Sequence, residues 1–427
     1  EYMNEIRDLI IGIDFGKDYS QICYYDRKGE KPCSVSMKIG TEEYEVPTCI
    51  CRRGEQKEYT IGVEAVYFAR EKSGQLVDDL YEVCKKEDSV QLFGEQVEPW
   101  ELLGVFLRGM LKFLGVTDVV KNTKCLVITS PELEDTQVKN LEKACQDIGF
   151  GKNQYMLMDH GECFYYYSLT QKRETWNRSI GWYSFHQDEV EFRQLTMDGG
   201  TRPVLVRLEE PKVTTLPSLT ADEEKREKAV EARDEAYRDF IKETLGTGLF
   251  SSIQITGYGF DPKWAKKSIG SLCMQRRKVY YGNNLFAKGA CAAGKERMED
   301  KILKGYRYMS PALVLKDIGM DMRVMGAPAY YPLIEAGKNW YECKASCELI
   351  LDDTAELVFV VGTFGEKQKK KVIMGLPGLP ERPNKTTRLS LSLAYVSQKR
   401  CRVQVKDLGF GEMFPSSGKV WDELVEW

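Results

Sequence analysis

The chain has 427 residues, 42% hydrophobic and 30% charged, a balance that marks an ordinary globular protein too long for one core, so two or three domains are the default. With 61 basic against 65 acidic residues and a net charge of −4, a basic nucleic-acid surface is excluded, and no run of 18 apolar residues offers a membrane span. Thirteen scattered cysteines, an odd count, argue for a reducing, cytoplasmic setting rather than a disulfide framework. Neither Cys49/Cys51 nor Cys343/Cys347 is matched by a second cluster at zinc spacing, and only two histidines, His160 and His186, are present, so no metal site is expected. The opening stretch lacks a basic n-region and its apolar run breaks at Asp14, unlike a secretory signal. A first residue other than methionine leaves the natural start open.

In chain order, "LIIGIDFG" and "YSQICYYD" read as two strands joined by a tight turn at Gly16, and "CSVSMKIG" and "EYEVPTCICRRG" as further strands. The period then changes. In "EPWELLGVFLRGMLKFLGV", Pro99 sits near the start, and Leu102, Leu103, Phe106, Met110, Leu111 and Leu114 recur at helical spacing. "KCLVITSPE" reads as a buried strand, and "LEDTQVKNLEKACQDIGF" as an amphipathic helix closed by Gly149. "NQYMLMDHGECFYYYSL" is a strand running into a helix, and residues 179–197 a hairpin turning near His186 to Asp188. Residues 220–245 predict a charge-laced, solvated helix with few apolar positions. "SSIQITGYGF" is a strand meeting Gly257 and Gly259, "WAKKSIGSLC" looks helical, and "NLFAKGACAAGKERM" is a helix of small residues that permits close backbone approach. Alternating strands and helices of these lengths predict an α/β core. From about residue 306 the texture becomes short alternating strands separated by turns, the signature of an antiparallel β-sandwich, which predicts domains at 1–305 and 306–427.

The order of these pieces resembles the actin-like ATPase superfamily and, within it, the DnaK-type heat-shock chaperones. "IGIDFGKDYS" is similar to that family's first phosphate loop, "LMDHGECFYYYSL" to the start of its connecting helix, "ITGYGF" to its adenosine turn and "GNNLFAKGACAAG" to the helix that follows. "SPALVLKDI" resembles its interdomain linker, and "YYPLIEAGKNWYE", "VVGTFGE" and the strands beyond resemble its substrate-binding sandwich. The resemblance implies a two-lobed, ribonuclease-H-like ATPase fold with reduced upper subdomains, then a β-sandwich without a helical lid. It also implies adenine nucleotide, ATP or ADP, as ligand and a protein or peptide as partner.

Carried over residue by residue, the resemblance makes Asp14 the catalytic acid and Gly16, Lys17, Asp18, Tyr19, Gly257 and Gly259 the nucleotide-binding residues. The chain departs from the pattern in three places. Lys17 and Asp18 stand where the family's first turn has two threonines, and Asp159-His160-Gly161 where it has an acid and a proline. Ser184 to Glu189 stand where the second hairpin should show an acid and three glycines, which let backbone amides approach a γ-phosphate. These departures argue for weak or no hydrolysis and against retention of magnesium. Lys17 has two readings, an ammonium facing a β-phosphate or an exposed turn residue paired with Asp18. In the sandwich, Met322, Met325, Tyr330 and Tyr331 are candidates for a peptide groove, and equally readable as core strand residues. The expected function is thus a chaperone-like, peptide-binding pseudo-ATPase. The alternatives are an inactive actin-fold scaffold and an active Mg-ATPase with a rearranged site.

Overall fold

The computed structural model describes residues 7–38, 40–54, 58–363 and 368–427, in two compact units divided between Met309 and Ser310. The end of "VVGTFGE", from residue 364, and Ile39 in "CSVSMKIG" lie outside the described residues. Among the described residues no helix is long and apolar enough to cross a membrane.

The first unit contains one strand pattern twice. Strand β1 (Leu9–Asp14) is wholly buried, as its unbroken apolar run requires of a central strand. It pairs antiparallel with β2 (Tyr19–Asp26), which pairs with β3 (Lys31–Ser34). After helix α1 (Pro99–Lys112), strand β4 (Thr123–Ser130) joins β1 in parallel; helix α2 (Asp135–Ile148) leads to β5 (Tyr155–Asp159), parallel to β4. The order is β3-β2-β1-β4-β5. Helix α3 (His160–Leu169) follows, and the order repeats. Strand β6 (Ser179–His186) pairs antiparallel with β7 (Glu189–Asp198), and β7 with β8 (Val204–Leu208). Helix α4 (Glu223–Leu245) then leads to β9 (Phe250–Tyr258) and β10 (Lys278–Tyr281), both parallel to β6. Helix α5 (Leu285–Lys295) closes the second pattern. It lies directly on β1, since a Cβ at Gly12 would stand 2.3 Å from the Ala287 carbonyl oxygen. Strand β11 (Tyr306–Tyr308) pairs with β8, so residues 306–309 belong to this unit and not to the second.

Helix α4 is not solvated along its whole length. Its C-terminal half buries Tyr237, Phe240 and Ile241 against Tyr183, Phe185 and Ile253, each such side chain contributing about 1.5–3 kcal/mol of apolar burial. The sequence pattern hides this because the same half also buries Arg233 and Asp234.

The second unit is all antiparallel. Its strands are β12 (Lys316–Val324), β13 (Ala327–Ile334), β14 (Lys344–Ile350), β15 (Glu356–Thr363), β16 (Lys369–Gly375), β17 (Arg388–Tyr395), β18 (Arg400–Gly409) and β19 (Val420–Glu426). They form two sheets, β13-β12-β15-β16 and β14-β17-β18-β19. On β17 and β18 every second residue is buried, as one-sided strands require. β19 is a strand that the sequence pattern did not separate from the terminal turn region. The stretch read as a linker, 310–318, is built into this unit. Val314 is fully buried and its amide bonds the Lys338 carbonyl, while Ile318 already belongs to β12. Asp407, 3% exposed, takes two bonds from Arg382 at 2.9 and 2.8 Å and one from the Ser417 amide, holding the segment between β18 and β19.

Candidate functional site

The two hairpins, β1–β2 and β6–β7, hold the same place in the repeated pattern; the predicted nucleotide residues Gly16 to Tyr19 lie at the tip of the first, and Gly257 and Gly259 at the end of β9 against the second. Phe15 anchors the first, packed between Tyr81 and Phe106, with its amide bonded to the Thr129 carbonyl at 2.8 Å. Gly16 is required by the turn itself, because a Cβ there would stand 2.2 Å from the Tyr19 carbonyl oxygen. Lys17 and Asp18 are exposed, and no ion pair joins them.

Asp14, 6% exposed, faces the start of α3. His160 Nε2 hydrogen-bonds Asp14 Oδ1 at 2.7 Å, and the imidazole stacks on Phe286 with centroids 3.6 Å apart and 3° between planes. The backbone puts His160 there, since Asp159 caps α3 by accepting from the Glu162 amide at 2.8 Å and so turns the next residue toward β1. Burial pushes the Asp159 carboxyl above its ordinary range. Asp159, in the stretch that departs from the resemblance's acid and proline, is therefore a helix cap, and an imidazole holds Asp14.

The second hairpin is closed by a side chain from α4. Arg233, 1% exposed, donates to Asp188 Oδ1 at 2.5 Å, to the Pro217 carbonyl at 2.9 Å, to the Gln187 carbonyl at 2.6 Å and to the Gly259 carbonyl at 3.3 Å. Its guanidinium lies over Trp264, 4.9 Å from the ring centre. Ser218 also bonds Asp188, and these two partners, Ser218 first, hold that carboxyl below its ordinary range.

Gly257 and Gly259 have φ of +88° and +119°, and Cβ atoms there would stand 2.0 Å from the Phe185 carbonyl oxygen and 2.2 Å from that of Gln187. Their freedom serves a backbone-on-backbone contact with the hairpin. The nearby amides are also committed: Gln187 N donates to the Tyr258 carbonyl at 2.6 Å and Gly257 N to Asn283 Oδ1 at 2.7 Å. Asn283 Nδ2 in turn donates to Glu45 Oε1 at 2.9 Å, and Tyr19 and Tyr258 meet at 5.3 Å, so each pattern of the unit contributes to the contact. Burial, and then Glu45, raise the Tyr258 phenol above its ordinary range.

Of the residues the sequence singles out, Tyr19 meets Tyr258 between Gly257 and Gly259, while Asp14 is bonded to His160. Sequence reasoning missed His160 as the partner of Asp14, although "DHGE" after an apolar strand carried the signal of a capped helix start. It missed Arg233 altogether, since nothing in "EARDEAY" separates that arginine from its exposed neighbours. A magnesium–nucleotide as the resemblance would place it does not fit these residues. Asp14 is bound to an imidazole, the second hairpin to a guanidinium, and the glycine turn to backbone. Among the described residues no three His, Cys, Asp or Glu side chains converge as a metal site.

In the second unit, Met325 and Gly326 make the β12–β13 turn with φ of +52° and +86°, and Met325 is fully exposed. Opposite pairs Met320/Tyr331 and Asp321/Tyr330 put the two tyrosines on opposite faces of the sheet, so the four candidates do not share one face. Tyr330 lies across Gly319, where a Cβ would stand 2.4 Å from its ring, with Lys369 Nζ 4.1 Å from the ring centre. Met322, Tyr330, Arg323 and Asp352 border an open groove of about 540 Å³.

A repeated α/β unit whose paired hairpins are closed by its own side chains, followed by an all-antiparallel unit, defines the class of molecule. The chain belongs to the family of unknown function (DUF5716), whose C-terminal model matches residues 31–311; a domain of unknown function (DUF8552) matches residues 313–427. The first match begins after Asp14, and the two meet beside the structural boundary. No curated protein matches the chain.

Proposed function

We propose that the chain is a protein- or peptide-binding module on an actin-like, DnaK-type framework, with a second unit of β-sandwich character and a nucleotide site turned into a fixed internal contact. The observation that carries the reading is the 2.7 Å bond from His160 to Asp14, which takes up the carboxylate on which metal-assisted phosphoryl transfer depends. The twice-repeated strand order supports the framework. The open groove beside Met322 and Tyr330 and the exposed Met325 tip support a binding role for the second unit. The thirteen unpaired cysteines, most of them buried, support a reducing, cytoplasmic setting.

Calorimetric titration with ATP and with ADP, with and without Mg²⁺, tests the nucleotide half of the proposal. No heat of binding is expected, and metal-dependent binding that vanishes in Asp14→Ala would overturn it. An apolar peptide titrated against the full chain tests the binding half. Weakening by Met325→Ser or Tyr330→Ala is expected, and affinity unchanged in both would remove the groove from the account.

A further inference from the structure

A sheet edge is a row of unpaired backbone donors and acceptors, and the edges of the second unit differ in how they are protected. On β13, Pro328 and Pro332 fall four positions apart on the strand, on either side of Tyr330 and opposite Arg323 and Gly319. Proline has no N–H, so the donors on either side of Tyr330 are missing from that edge and continuous strand addition there is interrupted. Strands β16 and β19 contain no proline. Each is seven residues long and pairs on one side only. Their charges are opposite: β16 carries Lys369, Lys370 and Lys371, while β19 carries Asp422, Glu423 and Glu426. Asp422 is paired with Arg402 at 3.3 Å and Lys369 lies on Tyr330. Lys370, Lys371, Glu423 and Glu426 make no ion pair among the described residues.

The two edges open on the same side of the unit. Trp421, in β19, donates to the Pro377 carbonyl just after β16 at 3.1 Å, and Lys419 bonds the Gly378 carbonyl. Trp427, just beyond the far end of β19, packs on Phe359, which is opposite Val372 in the middle of β16. The edges therefore run antiparallel, one above the other. Both carry an exposed apolar side chain on the outer face, Ile373 at 61% and Leu424 at 51%.

We propose that this side is a self-association surface, on which β16 of one copy pairs antiparallel with β19 of a second copy, and reciprocally. A two-fold axis along the shared side sets each lysine edge against an acidic edge, whereas like-edge pairing sets lysines against lysines. One register places Lys371 opposite Glu426, Ile373 opposite Leu424 and Val372 opposite Val425. Both sheets then continue across the pair, and the exposed Ile373 and Leu424 are covered. This assembly goes beyond the proposed function and does not depend on the nucleotide site.

Sedimentation equilibrium on the full chain at low and moderate salt tests it. A monomer–dimer equilibrium that weakens as salt rises is expected. Lys370→Glu with Lys371→Glu, and separately Glu423→Lys with Glu426→Lys, should each raise the dissociation constant at least about tenfold. The four substitutions together should restore it, which separates lost pairing from lost folding. A wild-type chain that stays monomeric at low salt, a double variant that dimerises unchanged, or a quadruple variant that does not recover would overturn the proposal.

Discussion

The hairpins β1–β2 and β6–β7 occupy equivalent places in a repeated strand order, yet they are closed by different chemistry. In the first, a carboxylate at the end of β1 is held by a histidine that a helix cap aims at it, and the contact joins one sheet to the connecting helix. In the second, an arginine nearly absent from the surface threads between an aspartate and three backbone carbonyls. The first closure uses a residue pair adjacent to elements a ligand site would share, and the second imports a charge from a helix 45 residues away in sequence. Equivalent hairpins of a repeated strand order can thus be closed by unrelated contacts, each with its own stability cost when it is removed.

Arg233→Ala should have the largest effect. It leaves Asp188 and the carbonyls of Pro217, Gln187 and Gly259 without their donor and opens a void beside Trp264, so a loss of roughly 3 kcal/mol or more is expected by urea denaturation. A change below about 0.5 kcal/mol, the range of an ordinary surface site, would break the claim that the guanidinium closes this hairpin.

His160→Ala should cost less, about 2 kcal/mol, because it strands one buried carboxylate rather than several acceptors. In a double-mutant cycle with Asp14→Asn the two losses should be clearly less than additive. Full additivity would mean that the 2.7 Å contact is not energetically coupled.

The smallest expected effect is a pH dependence confined to the second hairpin. Ser218 and Arg233 depress the Asp188 carboxyl, so the stability it contributes is fully present above the ordinary aspartate range near about 4 and is lost as pH falls through the lower folded value. Asp188 is partly exposed, so the amplitude should be small. Asp188→Asn should flatten that acid limb without changing its shape at neutral pH, and an unchanged limb would remove Asp188 as a contributor.

Much of the fold was legible in the sequence because its central strands are continuous apolar runs. "LIIGID" and "KCLVITS" could hardly be anything but buried strands, and Gly149 ends its helix in the left-handed conformation its position suggests. The edges of the pattern were harder. Strand β19 mixes apolar and acidic residues without strict alternation and is mostly exposed, and β11 is three residues whose partner lies about a hundred positions earlier. One neighbourhood within the candidate site was also readable, since Tyr19 meets Tyr258 between Gly257 and Gly259. Its internal bonding was not, because glycines at 257 and 259 do not announce which backbone comes close, and only the coordinates bring the Phe185 and Gln187 carbonyls against them. Likewise Arg233 is one of many charges on a helix, and its burial depends on packing that no local pattern encodes.

The central claim is that the equivalent hairpins are closed by side chains and backbone of the surrounding chain rather than by a metal–nucleotide. The most direct measurement is magnesium-dependent phosphate release from ATP by the wild-type chain, with Asp14→Ala assayed beside it. The account predicts no release above buffer from either protein. Turnover by the wild type that disappears in Asp14→Ala would contradict it and return Asp14 to catalysis.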